Sequence, residues 1–479
     1  MPAIITNKFR IHNSEQFSES FSETANNVYY LAIGRPQAWA TSTRTDTAAP
    51  TPIDSIQDEF YSFDDFLAAK RVTSSDVSFV IPRRNWTTGT VYDYYRHDYG
   101  NFVTGSSSSV QTADSGATAL YDATFYVMTD DYNVYKCLDN NGGVASTVKP
   151  TGTSNSILTT SPDGYRWKYM YSLTAAQRQN FLSTDFIAVA TNSTVSAAAV
   201  DGAVNVVKIK TAGSGGANGT HTGVAIRGDG SSGECSVTVA GGAVTAVTVT
   251  TPGTGYTYGY IRVSDIVSAG ATGLSGTELD VIIEPKGGHG FNAVKELGGF
   301  FVMLNVNFEG TESSNTGDFT VDNDFRRVAL IRDPDSGGSA ASSTTLRNTK
   351  AILLSSASGT FTVDEEINQA TSGAVGKVVE HDTANSILYY VQTRHNDAGA
   401  DSNGNLTAFT GTDTITGQSS SVTATPSSST STVDSVSFTS GYAGSELDAD
   451  TGDVLYLENR SPITRASDQT ENVKLIVEF

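Results

Sequence analysis

Apolar positions along this chain recur with two spacings. Ile56, Phe60, Phe63 and Leu67 fall at i, i+4, i+7 and i+11, which predicts a helix with one apolar face, capped by Asp54 or Ser55. Asn13 and Gln16 are spaced as a capping box, predicting a short helix that carries Phe17 and Phe21. Elsewhere the pattern suits extended chain. VSFVIP (77–82) reads as a strand closed by its proline, ATFYVM (123–128) and NVYKCL (133–138) as a hairpin pair, and YRWKYMYSL (165–173) as a further strand. A helix is predicted from Ser172 or Thr174 through Phe181, and strands over 297–310 and 325–334. The class these elements predict is mainly β, with a few short helices.

The character of the chain changes at about residue 201. From there to 284 it is Gly, Thr, Val and Ala with few large aromatics. GAVNVVKIKTAGSG (202–215) and GAVTAVTVTTPGTG (242–255) match at an offset of 40, so a duplicated strand–turn unit is expected, folded as a small sandwich or barrel. A second repeat, at an offset of 48, relates FTVDEEINQATSGAV (361–375) to FTGTDTITGQSSSVT (409–423). The expected organisation is one discontinuous core, 1–200, 285–345 and 437–479, with β-modules 201–284 and 346–436 inserted in its loops. The 479 residues suit about three domains at roughly 100–200 residues each. The 45 glycines suit a turn-rich protein.

Charge narrows the partners. The chain has 51 acidic against 30 basic side chains, a net −21 at pH 7, and no Lys/Arg run longer than a pair. Phosphate binding needs a concentrated basic surface, so nucleic acid and anionic membranes are not expected partners. Cys137 and Cys235 make no metal spacing, and free thiols in a reducing compartment are expected. The first residues lack the apolar run of a secretion signal, and the longest apolar run, near 300–304, is far short of a membrane span. A soluble protein held in a cytoplasm until assembly is the expectation.

Catalytic chemistry finds little support. There is no GxSxG and no HExxH, and KGGHGF (286–291) reads as a structural glycine turn around His289 rather than an oxyanion loop. DSNGN (401–405) lacks the late Glu of a calcium loop, and DADTGD (448–453) reads as an Asx-rich turn. No metal or cofactor is expected. Tyr256, Tyr258 and Tyr260 alternate, which places them on one strand face, as core or as a sugar-binding stripe.

Five stretches, in order, carry a resemblance: IGRPQAWA (33–40), VIPRRNW (80–86), VYKCLD (134–139), DGYRWKYMYSL (163–173) and GDVLYLENRSPITRASDQTENVKLIVEF (452–479). Together they resemble the baseplate wedge subunit family of T-even-type contractile-tailed bacteriophages, the gene-eight product, and the overall style resembles a cyanobacterial phage relative. The resemblance covers the discontinuous core. It implies a structural virion protein with a β-sandwich core, a homodimer that joins other wedge proteins in the tail baseplate, with no catalytic residues. A receptor- or glycan-binding tail protein is the alternative. In SFVIPRRNWTTG, Arg83 and Arg84 lie on extended chain and point to opposite faces. They are expected to fasten protein to protein or core to core, with Glu458, Asp468 and Glu471 as candidate carboxylates. Trp39 and Trp86 are expected anchors, and Arg460 belongs to the same terminal motif.

Overall fold

The computed structural model describes residues 3–23, 27–39, 48–103, 106–159, 161–311, 318–320, 323–393, 400–463 and 470–479. The fold is mainly β, as the strand patterns require. The chain divides into two compact units. One comprises Met1–Gln16, Ser78–Met303 and Ile476–Phe479, the other Phe17–Val77 and Leu304–Leu475.

The first unit is built on an antiparallel four-stranded sheet, in the order Tyr126–Met128, Asn133–Asp139, Arg166–Ser172, Ile157–Leu158. The two central strands are buried along most of their length. Tyr135, Cys137, Trp167 and Tyr169 join one apolar cluster, where Trp167 stacks on Tyr165 at 5.4 Å. Val134, Leu138, Met170 and Tyr171 join the other. A register shift beside Val134 and Tyr135 lets Tyr171 leave the face of Tyr169. Thr174 starts the helix Ala175–Phe181 with a reciprocal capping box to Gln177.

Within this unit the 40-residue repeat is visible in the backbone. Gly213 and Gly253 have φ of 69° and 66°, and Gly215 and Gly255 have 79° and 76°. Both pairs need the left-handed region that side chains resist, so both copies keep glycine there. Strands Gly219–Ala225, Glu234–Ala240 and Ala243–Thr251 form one meander, and Val206–Ser214 pairs with Ser275–Ile282. The tyrosine stripe does not share a face. Tyr256 is buried, its hydroxyl donating to Ile226 O at 2.8 Å, whereas Tyr258 and Tyr260 are exposed. The Asp229 carboxylate accepts from Thr257 N and Tyr258 N and bends the chain, which ends the alternation.

The second unit holds an antiparallel five-stranded sheet, in the order Thr345–Arg347, Phe66–Val72, Tyr29–Gly34, Phe325–Arg332, Asp453–Ile463. Tyr29–Gly34 is buried throughout, as its apolar sequence demands. A second sheet closes on itself. Ile387–Val391, Ala374–Asp382, Glu366–Gln369, Ile415–Gly417, Thr423–Pro426 and Lys350–Ala357 pair in sequence, and the last pairs back to the first. Closure removes unpaired strand edges. The 48-residue repeat lies at its centre: Ile367 and Ile415 are buried on neighbouring strands, and Phe361 and Phe409 fill the same core. The Glu365 carboxylate, wholly buried, accepts from the backbone N–H and hydroxyl groups of Ser419 and Ser420.

Two helix expectations need correction. The first helix is Asn7–Ser20, so Asn13 lies inside it and Thr6, accepting from Phe9 N at 3.3 Å, sits at its start. Ile11 and Ser14 are its buried positions, too few apolar residues for periodicity to mark the start. The second helix, Ile56–Phe63, is capped by Ser55 as expected, but it buries Phe63 and leaves Ile56 and Phe60 exposed. Leu67 lies beyond it, on Phe66–Val72, because the helix ends at Phe63 and Asp64–Asp65 turns the chain into the sheet.

Candidate functional site

The most concentrated buried charge of the second unit centres on Asp65, which has no exposed surface. Its carboxylate bridges two guanidiniums, Arg35 Nη1 at 3.0 Å and Arg327 Nη1 at 2.8 Å, both side chains almost fully buried. Gly34 makes this approach possible, since a Cβ there would lie 2.5 Å from Asp65 O. Arg35 follows with a left-handed φ of 55°, and its N–H donates to Asp65 O at 2.7 Å. Arg327 also donates from Nε to Asn459 Oδ1 at 3.0 Å, its register partner on Asp453–Ile463. Trp39 covers the group: Arg35 Cζ lies 4.6 Å from its ring centroid, and its indole N–H donates to Arg460 O at 2.9 Å. IGRPQAW, FRRVALIR and LYLENR thus meet in one knot, with Trp39 over Arg35.

Asp453–Ile463 is the edge strand of the five-stranded sheet. Glu458 and Arg460 sit half-exposed on it, 3.8 Å apart, and Tyr456 OH donates to Glu458 at 2.8 Å. They line a groove of about 740 Å³ with Phe325, Ile463, Glu471 and Leu475. Asp468 lies outside the described residues.

Arg83 and Arg84 bind carbonyls rather than the expected carboxylates. Arg83 Nη1 donates to Ser183 O at 2.8 Å and Nε to Asn85 Oδ1 at 3.1 Å. Arg84 donates to Ala123 O and, at 3.0 Å, to Tyr121 O, and lies 4.6 Å over the Tyr126 ring. A guanidinium has five fixed donors and no acceptor, so turn carbonyls satisfy it as a carboxylate would. Trp86 packs beside Tyr92 and Trp167, its indole N–H donating to Ser146 Oγ at 3.1 Å. All of these contacts lie within the first unit.

A second charge cluster of the first unit went unnoticed in sequence. Lys136, with no exposed surface, donates to Glu296 Oε2 at 2.9 Å and to His289 Nδ1 at 2.8 Å, and lies 4.1 Å over the Tyr95 ring. Glu296 also accepts from Gly290 N and Asn292 N. Glu284 accepts from Asn205 and from His289 N at 3.1 Å. Burial pulls the Lys136 and His289 pKa values down, and it pushes Glu284 up to about 7. The ordinary Glu value is 4.5, so the folded chain holds this proton more tightly than the unfolded one. Stability from Glu284 is therefore present in acid and is lost as pH rises from about 4.5 to about 7. Glu284→Gln is neutral at every pH. It should exceed the wild type in stability at pH 8 by up to about 3 kcal/mol, at roughly 1.4 kcal/mol per pH unit, with little difference at pH 4. Thermal melts across this range check it, and identical pH slopes in the two proteins would refute it.

The remaining candidates are a local turn at Asp401 and a long-range backbone tie at Asp448. Asp401 accepts from Asn403 N at 2.8 Å and Asn405 N at 3.0 Å, and Asp448 accepts from Gly338 N at 2.7 Å. Among the described residues no group of three His, Cys, Asp or Glu is placed to hold a metal. Both cysteines are free and buried.

The family described as Bacteriophage T4, Gp8 matches residues 3–143 and 384–479. The match covers four of the five motif stretches; DGYRWKYMYSL (163–173) and the expected core segment 285–345 lie outside it, and 384–436 of the expected second insertion lies inside it. "Baseplate wedge protein gp8" of Enterobacteria phage T4 is 25% identical over 201 residues, which are 39% of this chain and 60% of that protein. The matched segments contain Arg35, Trp39, Asp65, Asn459 and Arg460.

Proposed function

Taking the similarity to phage T4 baseplate wedge protein gp8 as premise, we propose that this chain is a structural subunit of a contractile-tail baseplate wedge. It acts by protein–protein contacts in baseplate assembly and host-attachment signalling, not by catalysis. The carrying observation is that the family match spans both ends of the chain and includes Arg35, Trp39, Asp65, Asn459 and Arg460 of the Asp65 knot, while Arg327 falls between its two segments. Assembly takes place in the host cytoplasm, and the subunit pairs as a homodimer before joining other wedge proteins. The segments 201–284 and 346–436 are read as insertions that decorate the core, with the family match resuming inside the second of them, at residue 384. A glycan-binding reading is less favoured, since the tyrosine stripe that motivated it is broken by the bend at Asp229.

The edge strand Asp453–Ile463, with half-exposed Glu458 and Arg460, supplies the contact surface of this reading. Immunogold labelling of particles with an antibody to this chain should place gold at the host-facing end of the tail. Label on fibre tips would instead favour receptor binding, and unlabelled particles would defeat the proposal. Arg460→Glu should leave stability within about 0.5 kcal/mol of the wild type, because the side chain is partly exposed. It should nevertheless abolish incorporation into baseplates, scored by label density. Normal incorporation of the folded variant would remove this strand from the interface.

No helix among the described residues is long and apolar enough to cross a membrane.

A further inference from the structure

In the first unit, a cavity of about 610 Å³ opens between the loops of the repeat-bearing segment and the four-stranded sheet. Asn155, Lys168, Asn205, Thr254, Glu284 and His289 are among its lining. Lys168 and His289 are both about 95% buried. Gly290 lets the Lys168 stem lie close, since a Cβ there would stand 3.3 Å from Lys168 Cε and 2.5 Å from Val195 Cγ1.

Donor accounting shows what the wall offers. The Lys168 ammonium has three N–H groups, and one donates to Asn155 O. His289 Nδ1 faces the Lys136 ammonium at 2.8 Å, and an ammonium has no acceptor, so Nδ1 is the unprotonated nitrogen and Nε2 carries the hydrogen. That Nε2 lies 3.8 Å from Glu284 Oε1, beyond hydrogen-bond reach. Two buried residues, one of them cationic, thus have donor capacity to spare at the wall of a cavity.

We propose that this cavity binds a small oxyanion, a carboxylate or a phosphate, through the Lys168 ammonium and the His289 Nε2–H. Glu284 tunes the affinity. As a carboxylate it repels the anion; as a carboxylic acid it leaves Lys168 with only the weaker field of Glu296, which is itself paired with Lys136. The other groups around it are Lys136, paired with Glu296, and the Tyr95 hydroxyl; Glu296 acts on Lys168 through space but less than Glu284 does. Burial places the Glu284 transition at about 7, so binding strengthens as pH falls through neutrality. The inference stands independently of the baseplate reading.

Saturation-transfer NMR on acetate, with the full chain, tests it, because acetate keeps one charge across the range. The wild type should saturate with acetate at pH 6 and bind roughly tenfold more weakly at pH 8, one pH unit above the transition. Lys168→Met should abolish the saturable signal. Glu284→Gln should keep it at pH 8. Ala198→Trp, at an exposed position of the lining, should block entry without touching the donors. Inorganic phosphate should compete with acetate at pH 6; failure to compete narrows the ligand to carboxylates. A linear, non-saturating response in the wild type overturns the proposal. So does a Lys168→Met or Ala198→Trp protein that titrates like the wild type.

Discussion

Asp65→Ala should destabilise the second unit by about 3–5 kcal/mol, the cost of breaking a buried ion pair from one side. The substitution leaves Arg35 and Arg327 without a counter-charge at sites where their side chains are only 5% and 6% exposed. A guanidinium stays protonated throughout the accessible pH range, so neither arginine can escape by losing its proton. The effect should exceed that of any surface charge deletion, since Arg332 with Asp453, both well exposed, is worth ~1 kcal/mol or less. Replacing the whole triad with apolar residues, as Arg35→Met, Asp65→Leu and Arg327→Met together, should cost much less than Asp65→Ala alone. Chemical denaturation followed by tryptophan fluorescence reads this, with Trp39 reporting from the second unit and Trp86 and Trp167 from the first. A loss below about 1 kcal/mol for Asp65→Ala would mean that water reaches the guanidiniums and that the knot is not sealed.

In the first unit, Lys136→Met should cost about 3 kcal/mol, the low end of the same range. Lys136 has no exposed surface, so its ammonium exists there only because Glu296, His289 and the Tyr95 ring answer it. The methionine fills most of the volume. What it leaves behind is the Glu296 carboxylate, deprived of its cation but still accepting from Gly290 N and Asn292 N. Those two bonds are why the loss falls at the low end. Adding Glu296→Gln should recover part of it by removing the orphan charge. A double-mutant cycle on unfolding free energy measures the coupling. Additive losses in the cycle would show that Glu296 is held by the backbone alone and that the lysine serves another partner.

Both knots were partly legible beforehand. The arginine pair in FRRVALIR interrupts an apolar strand, and a charge in an otherwise buried run must meet a partner. Gly34 before Arg35 likewise marks a close backbone approach. Neither sign names Asp65, which lies 30 residues from Arg35 and 262 from Arg327. Lys136 gave a similar sign inside the apolar run NVYKCL, and its partners Glu296 and His289 lie 160 and 153 residues away. Arg83 and Arg84 show the converse. Their spacing and type announced fastening, yet the acceptors turned out to be carbonyls of nearby loops.

Period and composition sufficed for what depends on neighbours in the chain. The strands 77–82, 133–139 and 166–172, the caps at Ser55 and Thr174, and the glycine turns of the 40-residue repeat follow from local sterics and local hydrogen bonds. The order of motifs also carried the family resemblance, because rare residues at fixed spacing are informative without coordinates. Tertiary structure alone decided which charges meet, that the second sheet closes on itself, and that Ile56 and Phe60 stay exposed while Lys136 and Asp65 are sealed inside. The reason is physical. Backbone geometry is set by the few residues on either side, whereas burial and charge pairing depend on which distant strands become neighbours.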